Sequence, residues 1–278
     1  MFEIISKENL AEDILKYKIK APRIAKKRKP GQFIVIQADE TSERIPLTIV
    51  DSDTKDSSIT LIFQVVGKST KKLASFQTGD SFKDLLGPLG KETHLEKFGN
   101  VVAIGGGVGI APLYPIAKGM ANANNELSVI LGARTKNLLI LEEEMRSFCK
   151  NIHIITDDGS YGEKGFVTHK LKSLIESKQK IDLVIAIGPL VMMKAVSDLT
   201  KPFGIHTIVS LNPIMVDGTG MCGGCRVNIK DEVKFACVDG PEFNGHDVNF
   251  EKLSKRLSAY KNHEDDSCKL IQQINKKG

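Results

Sequence analysis

The strongest chemical signal in this chain is one glycine-rich stretch, VDGTGMCGGCRVNIKDEVKFACVDGPEFNGH (216–246), which holds Cys222, Cys225 and Cys237. Thiolates bind zinc or iron–sulfur clusters, and either group normally takes four protein ligands. The stretch supplies three thiols, so a fourth donor must come from another side chain. His246 lies nine residues beyond Cys237 and would complete a Cys3His zinc site. Iron–sulfur ligation with a different fourth ligand is a second reading. Three reduced structural cysteines without metal are a third. The five cysteines are an odd number, and the clustering of three argues against a disulfide framework and for a metal or redox site.

A second constellation is VVAIGGGVGIAPLYPIAKG (101–119). Gly105, Gly106, Gly107 and Gly109 sit where an apolar run must turn into a helix. Glycine tolerates positive φ there, and its missing Cβ lets backbone N–H groups approach a pyrophosphate. Ile110 and Ala111 open the helix, and Pro112 suits a first turn whose N–H groups have no partner. Ile110 occupies the last glycine of the GxGxxG dinucleotide fingerprint, so the motif departs from it. Further along, Arg134 and Lys136 could meet a 2′-phosphate. Asp157 and Asp158 end the third run; they would repel that phosphate and could accept from ribose hydroxyls. The carboxylates favour NAD(H), with NADP(H) the alternative.

These residues need elements to position them. Short β-branched or alternating runs at 32–37, 46–50 and 59–66 are separated by Gly, Pro, Asp and Ser, the pattern of a small antiparallel barrel. From Val101 the pattern changes. Apolar runs at 101–104, 127–131, 152–155, 181–187 and 205–209 alternate with helical periods at 110–120, 138–149, 166–177 and 190–200. Strand–helix alternation with continuous apolar strands predicts a parallel, doubly wound α/β sheet. The expected order is a β-barrel domain (1–97), an α/β domain (98–212), a cysteine module (213–246) and a helical tail (247–278). The tail carries the stripe Phe250, Leu253, Leu257 and Tyr260, placed either on the chain's own α/β domain or on a partner.

The 278 residues suffice for two domains of ordinary size, and 41% hydrophobic with 26% charged residues fits a globular chain. No apolar run approaches the roughly 20 residues needed to span a bilayer. The N-terminus lacks the layout of a signal peptide, so the expected location is the cytoplasm. The net charge of +5 is mild. Lys26, Lys27, Arg28 and Lys29 are read as a solvated hairpin loop; no nucleic-acid motif accompanies them. The histidines His94, His153, His169, His206, His246 and His263 are scattered, and no side chain is nominated as a catalytic acid or base.

Taken in order, PGQF (30–33), ERIPLT (43–48), VVGKSTKKL (65–73), TGD (78–80), GPLG (87–90), GGGVGIAP (105–112) and the turn at Gly188 and Pro189 before Met192 resemble the ferredoxin–NADP reductase superfamily. That resemblance implies a barrel that binds FAD and an α/β domain that brings a nicotinamide to it. It places Arg44 at the FAD pyrophosphate. Pro46, Leu47 and Thr48 would line the flavin ring, and Val65, Val66, Gly67, Ser69 and Thr70 would form the phosphate-binding turn. Arg44 lies four positions before Thr48, a spacing that departs from the superfamily pattern, and Leu47 stands where Tyr is usual.

The cysteine stretch resembles the [2Fe–2S] module of dihydroorotate dehydrogenase electron-transfer subunits, whose spacing is Cys-x4-Cys-x2-Cys-x11-Cys. This chain reads Asp217-x4-Cys222-x2-Cys225-x11-Cys237. The stretches DGTGMCGGCRV (217–227) and FACVDGPEFNGHDVNF (235–250) narrow the likeness to the small-subunit family of NADH-dependent reduced ferredoxin:NADP oxidoreductases, also known as sulfide dehydrogenase beta subunits. The resemblance implies a [2Fe–2S] cluster on Asp217, Cys222, Cys225 and Cys237. It also implies a larger flavoprotein iron–sulfur partner resembling the glutamate synthase small subunit, with ferredoxin reached through the complex. A dihydroorotate dehydrogenase electron-transfer subunit and a non-catalytic zinc-ribbon adaptor are the competing readings.

Overall fold

The chain is described from a computed structural model, which covers residues 2–177, 179–259 and 266. The first part comprises β1 (Phe2–Ala11), β2 (Ile14–Lys20), α1 (Pro22–Lys27), β3 (Phe33–Gln37), β4 (Arg44–Asp53), β5 (Ser58–Gln64), α2 (Lys68–Ser75), β6 (Ser81–Phe82) and β7 (Asp84–Leu89). Its strands form one antiparallel sheet in the order β6-β1-β2-β5-β4-β3-β7. β6 and β7 end that order but are consecutive in the chain, separated by Lys83 alone. The sheet must therefore curl until its edges meet, which is how an all-β domain removes open edges.

Inside the barrel, Ile34 and Ile36 of β3 pack with Ile49, Ile59 and Leu61. The alternate β3 residues, Phe33 and Val35, face outward into a different core shared with the rest of the chain. Side chains alternate across a strand. FIVIQ thus reads as a continuous apolar run because both of its faces are buried.

The second part contains β8 (Asn100–Gly106), α3 (Ile110–Asn122), β9 (Glu126–Ala133), α4 (Glu142–Arg146), β10 (Asn151–Thr156), β11 (Glu163–Lys164), α5 (Val167–Glu176), β12 (Leu183–Ile187), α6 (Leu190–Thr200) and β13 (His206–Ser210). Its main strands are ordered β10-β9-β8-β12-β13 and pair in parallel. On β8, Val101 and Ala103 face α3 and the barrel residues Ile14, Val50 and Ile62. Val102 and Ile104 face the opposite core, with Met193 and Val196 of α6. The chain runs outward from β8 in one direction and from β12 in the other. Their C-terminal ends therefore form the switch point at which such sheets bind ligands.

The third part comprises a hairpin of β14 (Arg226–Ile229) and β15 (Glu232–Phe235), α7 (Ala236–Asp239), β16 (Glu242–Asn244) and α8 (Phe250–Ser258). β16 pairs antiparallel with β13, so this module joins the parallel sheet as its edge strand. Asn249 caps α8, accepting from Lys252 N at 3.0 Å. Phe250 and Leu253 are buried in the same core as Cys225 and Cys237, with Leu257 packed at its margin. The described part of the stripe thus packs on its own chain; Tyr260 lies outside the described residues.

Two expectations are corrected. The 26–29 segment includes the end of α1, and Arg28 is not solvated. Its side chain is 11% exposed and pairs with Asp51 at 2.8 Å, and burial lowers its pKa despite that partner. The helix expected over 138–149 is reduced to α4, because Leu141 enters it in a left-handed conformation, φ 57°. No helix among the described residues is long and apolar enough to cross a membrane.

Candidate electron-transfer site

The cysteine loop leaves the end of β13 and returns to the hairpin. Gly218, Gly220 and Gly223 hold φ of 73°, 85° and 65°, so glycine is needed to wind it tightly. Cys225 and Cys237 are buried, 3.1 Å apart at sulfur. Two sulfurs on one tetrahedral centre lie about 3.7 Å apart for metal–sulfur bonds of about 2.3 Å. A small spread of this pair therefore accommodates one metal atom. Burial, then the hydrogen bond and charge of Cys225, push the Cys237 thiol up to about 12. The Cys237 thiol therefore holds its proton unless a cation replaces it. Backbone amides already point at the sulfurs: Cys237 N donates to Cys225 Sγ and Gly224 N to Cys222 Sγ, each at 3.4 Å.

Asp217 turns back on its own loop. Its carboxylate accepts from Thr219 N at 2.8 Å and Cys222 N at 2.7 Å, and the Thr219 bond leads in holding its pKa below the usual carboxylate range. Cys222 is exposed. The four expected ligands therefore stand as two pairs, Asp217 with Cys222 and Cys225 with Cys237. Among the described residues, no three His, Cys, Asp or Glu side chains converge on one metal position. His246 is engaged elsewhere, 2.9 Å from Thr200 Oγ1 on α6, which removes it as a zinc ligand. The residues fit an iron–sulfur group through the thiol pair, the Asp217 carboxylate beside Cys222 and the amides.

Arg44, Pro46 and Thr48 alternate along β4 and share its outer face. Pro46 is the register partner of Val35, and Thr48 of Phe33. Leu47 does not join them. It packs with Ile45 against the barrel core, on the face of β4 opposite Pro46. Arg44 pairs with Asp84 Oδ2 at 2.7 Å, reaching across β3, where Gln37 is the register partner of both.

Val65 packs on the barrel core, and the exposed Val66 and then Gly67 lead into α2. Thr70 Oγ1 accepts from Val66 N and Gly67 N at 3.0 Å and caps the turn. Ser69 Oγ donates to Glu43 at 2.6 Å, which ties the helix start to the residue beside Arg44. The Thr70 hydroxyl is engaged within the turn, and the first-turn amides of α2 have no intrahelical acceptor. Glu43 and Asp84 escaped the sequence reading because each lies far from its partner along the chain.

At the switch point, Gly109 is pressed on the end of β12: a Cβ would lie 2.5 Å from Ile187 O. On Gly106 and Gly188 it would strike Met192, at 2.4 Å and 2.7 Å. Gly107, at φ 57°, has open space where its Cβ would be. This is a cradle that only a residue without a side chain leaves free, and it suits a pyrophosphate. Ile110 and Ala111 are fully buried and offer only backbone; Pro112 is half-buried. Pro189 leads into α6 beside Gly106. Arg134, Asp157 and Asp158 are exposed on neighbouring strand ends and are tied through the backbone, with Asp158 N donating to Arg134 O at 3.3 Å. Asp158 also accepts from Ser160 N, the leading cause of its lowered pKa.

The three parts correspond to three family models. Residues 1–109 match an FAD-binding domain, and 103–198 match an oxidoreductase NAD-binding domain. Residues 212–249 match the iron–sulfur cluster binding domain of dihydroorotate dehydrogenase B. The chain is 50% identical to a Clostridium beijerinckii protein described only as uncharacterized in the adh 3′ region, covering 95% of this chain and 92% of that one. It is 46% identical to a Thermotoga maritima homolog of the dihydroorotate dehydrogenase B (NAD(+)) electron transfer subunit, over 94% and 92% of the two chains. A solved structure described as giving insights into flavin-based electron bifurcation via NADH-dependent reduced ferredoxin-NADP oxidoreductase superposes with a TM-score of 0.92. That chain is 44% identical and the match covers 98% of each. The chain therefore belongs to the family of dihydroorotate dehydrogenase B electron-transfer subunits and their homologues, oxidoreductase subunits built from FAD-binding, NAD-binding and iron–sulfur domains.

Proposed function

We propose that this chain is the smaller subunit of a ferredoxin:NAD(P) oxidoreductase complex, passing electrons between a nicotinamide, FAD and a [2Fe–2S] cluster held by Asp217, Cys222, Cys225 and Cys237. The observation that carries this reading is the seating of the cysteine loop on the flavin face of the barrel. Gly218 abuts Val35 and Leu89, and Val35 is the register partner of Pro46. When bound, flavin couples two-electron hydride chemistry to the one-electron chemistry of an iron–sulfur group. The protein's own part is placement. Gly105, Gly106, Gly107 and Gly109 offer backbone to the nucleotide, Arg44 and the start of α2 face the flavin phosphates, and the loop glycines hold the thiols.

Asp217 favours this family over a dihydroorotate dehydrogenase subunit, where a fourth cysteine is expected. The 44% identity over nearly the whole chain to the oxidoreductase structure supports the same choice. The outer side of the loop is open, with Cys222 exposed and Met221 89% exposed, which supports a partner docked there. In this reading the partner is a larger flavoprotein iron–sulfur subunit resembling the glutamate synthase small subunit, in the cytoplasm. The adaptor reading does not account for the FAD- and NAD-domain matches.

The test is anaerobic purification with flavin and iron quantified, then EPR after reduction with NADH or NADPH. One FAD and two irons per chain, with a rhombic signal on reduction, are expected. A well-folded chain with FAD but no iron after reconstitution would overturn the cluster assignment.

A further inference from the structure

Gly223 and Gly224 separate Cys222 from Cys225, and a different arginine holds each of their carbonyls. Arg226 donates from Nη1 to Gly223 O at 3.1 Å. Arg256 donates from Nη2 to Gly224 O at 3.0 Å, from 32 residues along the chain. Arg256 lies in the last turn of α8, and it reaches the loop because Phe250 and Leu253 bury that helix in the core containing Cys225 and Cys237. Two adjacent glycines have no side chains of their own to fix a turn. Among the described residues, neither guanidinium takes part in an ion pair. A carbonyl accepts the hydrogen bond but does not cancel the charge.

We infer that Arg226 and Arg256 are positioning residues that fasten the CGGC turn and raise the electron affinity of the group its thiols hold. The inference rests on the iron–sulfur reading above. Adding an electron adds negative charge at the thiolates, and two cations hydrogen-bonded to the two glycines between Cys222 and Cys225 favour the reduced form. Arg226 is exposed, where water and salt screen it; Arg256 is half-buried and carries the larger share. Arg256 also makes α8 part of the redox centre, although no residue of that helix is a ligand candidate.

The full-length chain is reconstituted anaerobically as wild type, R256Q, R256K and R226Q, and each midpoint is measured by EPR-monitored redox titration. In parallel, amide hydrogen exchange over 222–226 is followed in the metal-free chains. R256Q is expected to show a more negative midpoint and exchange about five-fold or more faster, through loss of a charge-assisted hydrogen bond. R256K keeps the charge, so its midpoint stays closer to wild type, while exchange still rises because a flexible ammonium on a different stem does not hold Gly224 O as the preorganised guanidinium does. R226Q shifts both in the same direction by less. A wild-type midpoint in R256Q would overturn the electron-affinity role, and wild-type exchange would overturn the fastening role. Exchange needs no metal. Failure of the iron–sulfur reading would show separately, as wild-type chain that binds no iron, and would also overturn the electron-affinity role.

Discussion

Gly218 of the cysteine loop lies directly on Val35 of the barrel: a Cβ there would come within 3.0 Å of Val35 Cγ2 and 2.6 Å of Leu89 Cδ1. Gly218 also holds φ of 73°. The contact joins the loop to the strand face that carries Pro46 and Thr48, with no intervening layer. G218A is therefore expected to cost about 2 kcal/mol, from left-handed strain plus overpacking. Thermal unfolding would register this, and reduction of the iron–sulfur group by NADH would slow as the loop lifts from the barrel. An unchanged Tm would show that the loop is not seated there.

Two glycines of the nucleotide turn should fail differently. Gly109 has an ordinary helical φ of −62°, so alanine costs little in backbone conformation, yet its Cβ would lie 2.5 Å from Ile187 O. G109A should force the turn off β12 and abolish nicotinamide binding while FAD is retained. Gly107 meets nothing within 4 Å, so G107A should fold with a penalty of about 1 kcal/mol and project a methyl into the cradle. Its signature is a raised KM for the nicotinamide with flavin content unchanged. Titration of each variant with NADH and NADPH, with flavin measured alongside, separates the two effects.

Much of this was legible in the sequence because periodicity reports burial. Val101–Ile104 and Leu183–Ile187 are buried on both faces, and their continuous apolar runs betray it. β1 escaped the sequence reading because its burial is nearly confined to Ile4, leaving an alternation too weak to notice. The side of β4 that Leu47 takes was not legible for a different reason: a motif gives spacing but not which face of a strand a residue occupies. The loop's contact with Val35 and the arginine bonds to Gly223 and Gly224 depend on how separate segments meet. Local pattern carries no trace of that.

Arg44 should separate binding from stability. Its pair with Asp84 is about one third exposed on each side, and such pairs contribute under about 1 kcal/mol. R44A should leave Tm almost unchanged but weaken FAD binding by about ten-fold or more, as loss of a charge-assisted phosphate contact requires. R44K should recover only part of this, since an ammonium lacks the planar fork. Flavin release monitored by fluorescence is the measurement, and wild-type retention in R44A would remove Arg44 from the FAD site.

Glu242 gives the fold a pH dependence of unusual sign. It lies on β16, beside β13, and accepts from Thr93 Oγ1 at 2.6 Å; a Cβ on Gly31 would come within 2.8 Å of its Oε1. Burial raises its pKa from 4.5 to about 7, and the Thr93 bond only partly opposes this. Between those values the folded chain holds a proton that the unfolded chain has released. This contribution to stability is therefore complete below about 4.5, declines as pH rises, and is gone above about 7. Its ceiling is on the order of 3 kcal/mol. E242Q keeps an acceptor for Thr93 and cannot ionise. It should unfold at a higher temperature than wild type at pH 8 and at a similar temperature at pH 5, with a flatter slope between. Thermal unfolding of both chains across that range at fixed ionic strength decides it: identical slopes would mean that Glu242 is hydrated and ionises freely where β16 meets the barrel.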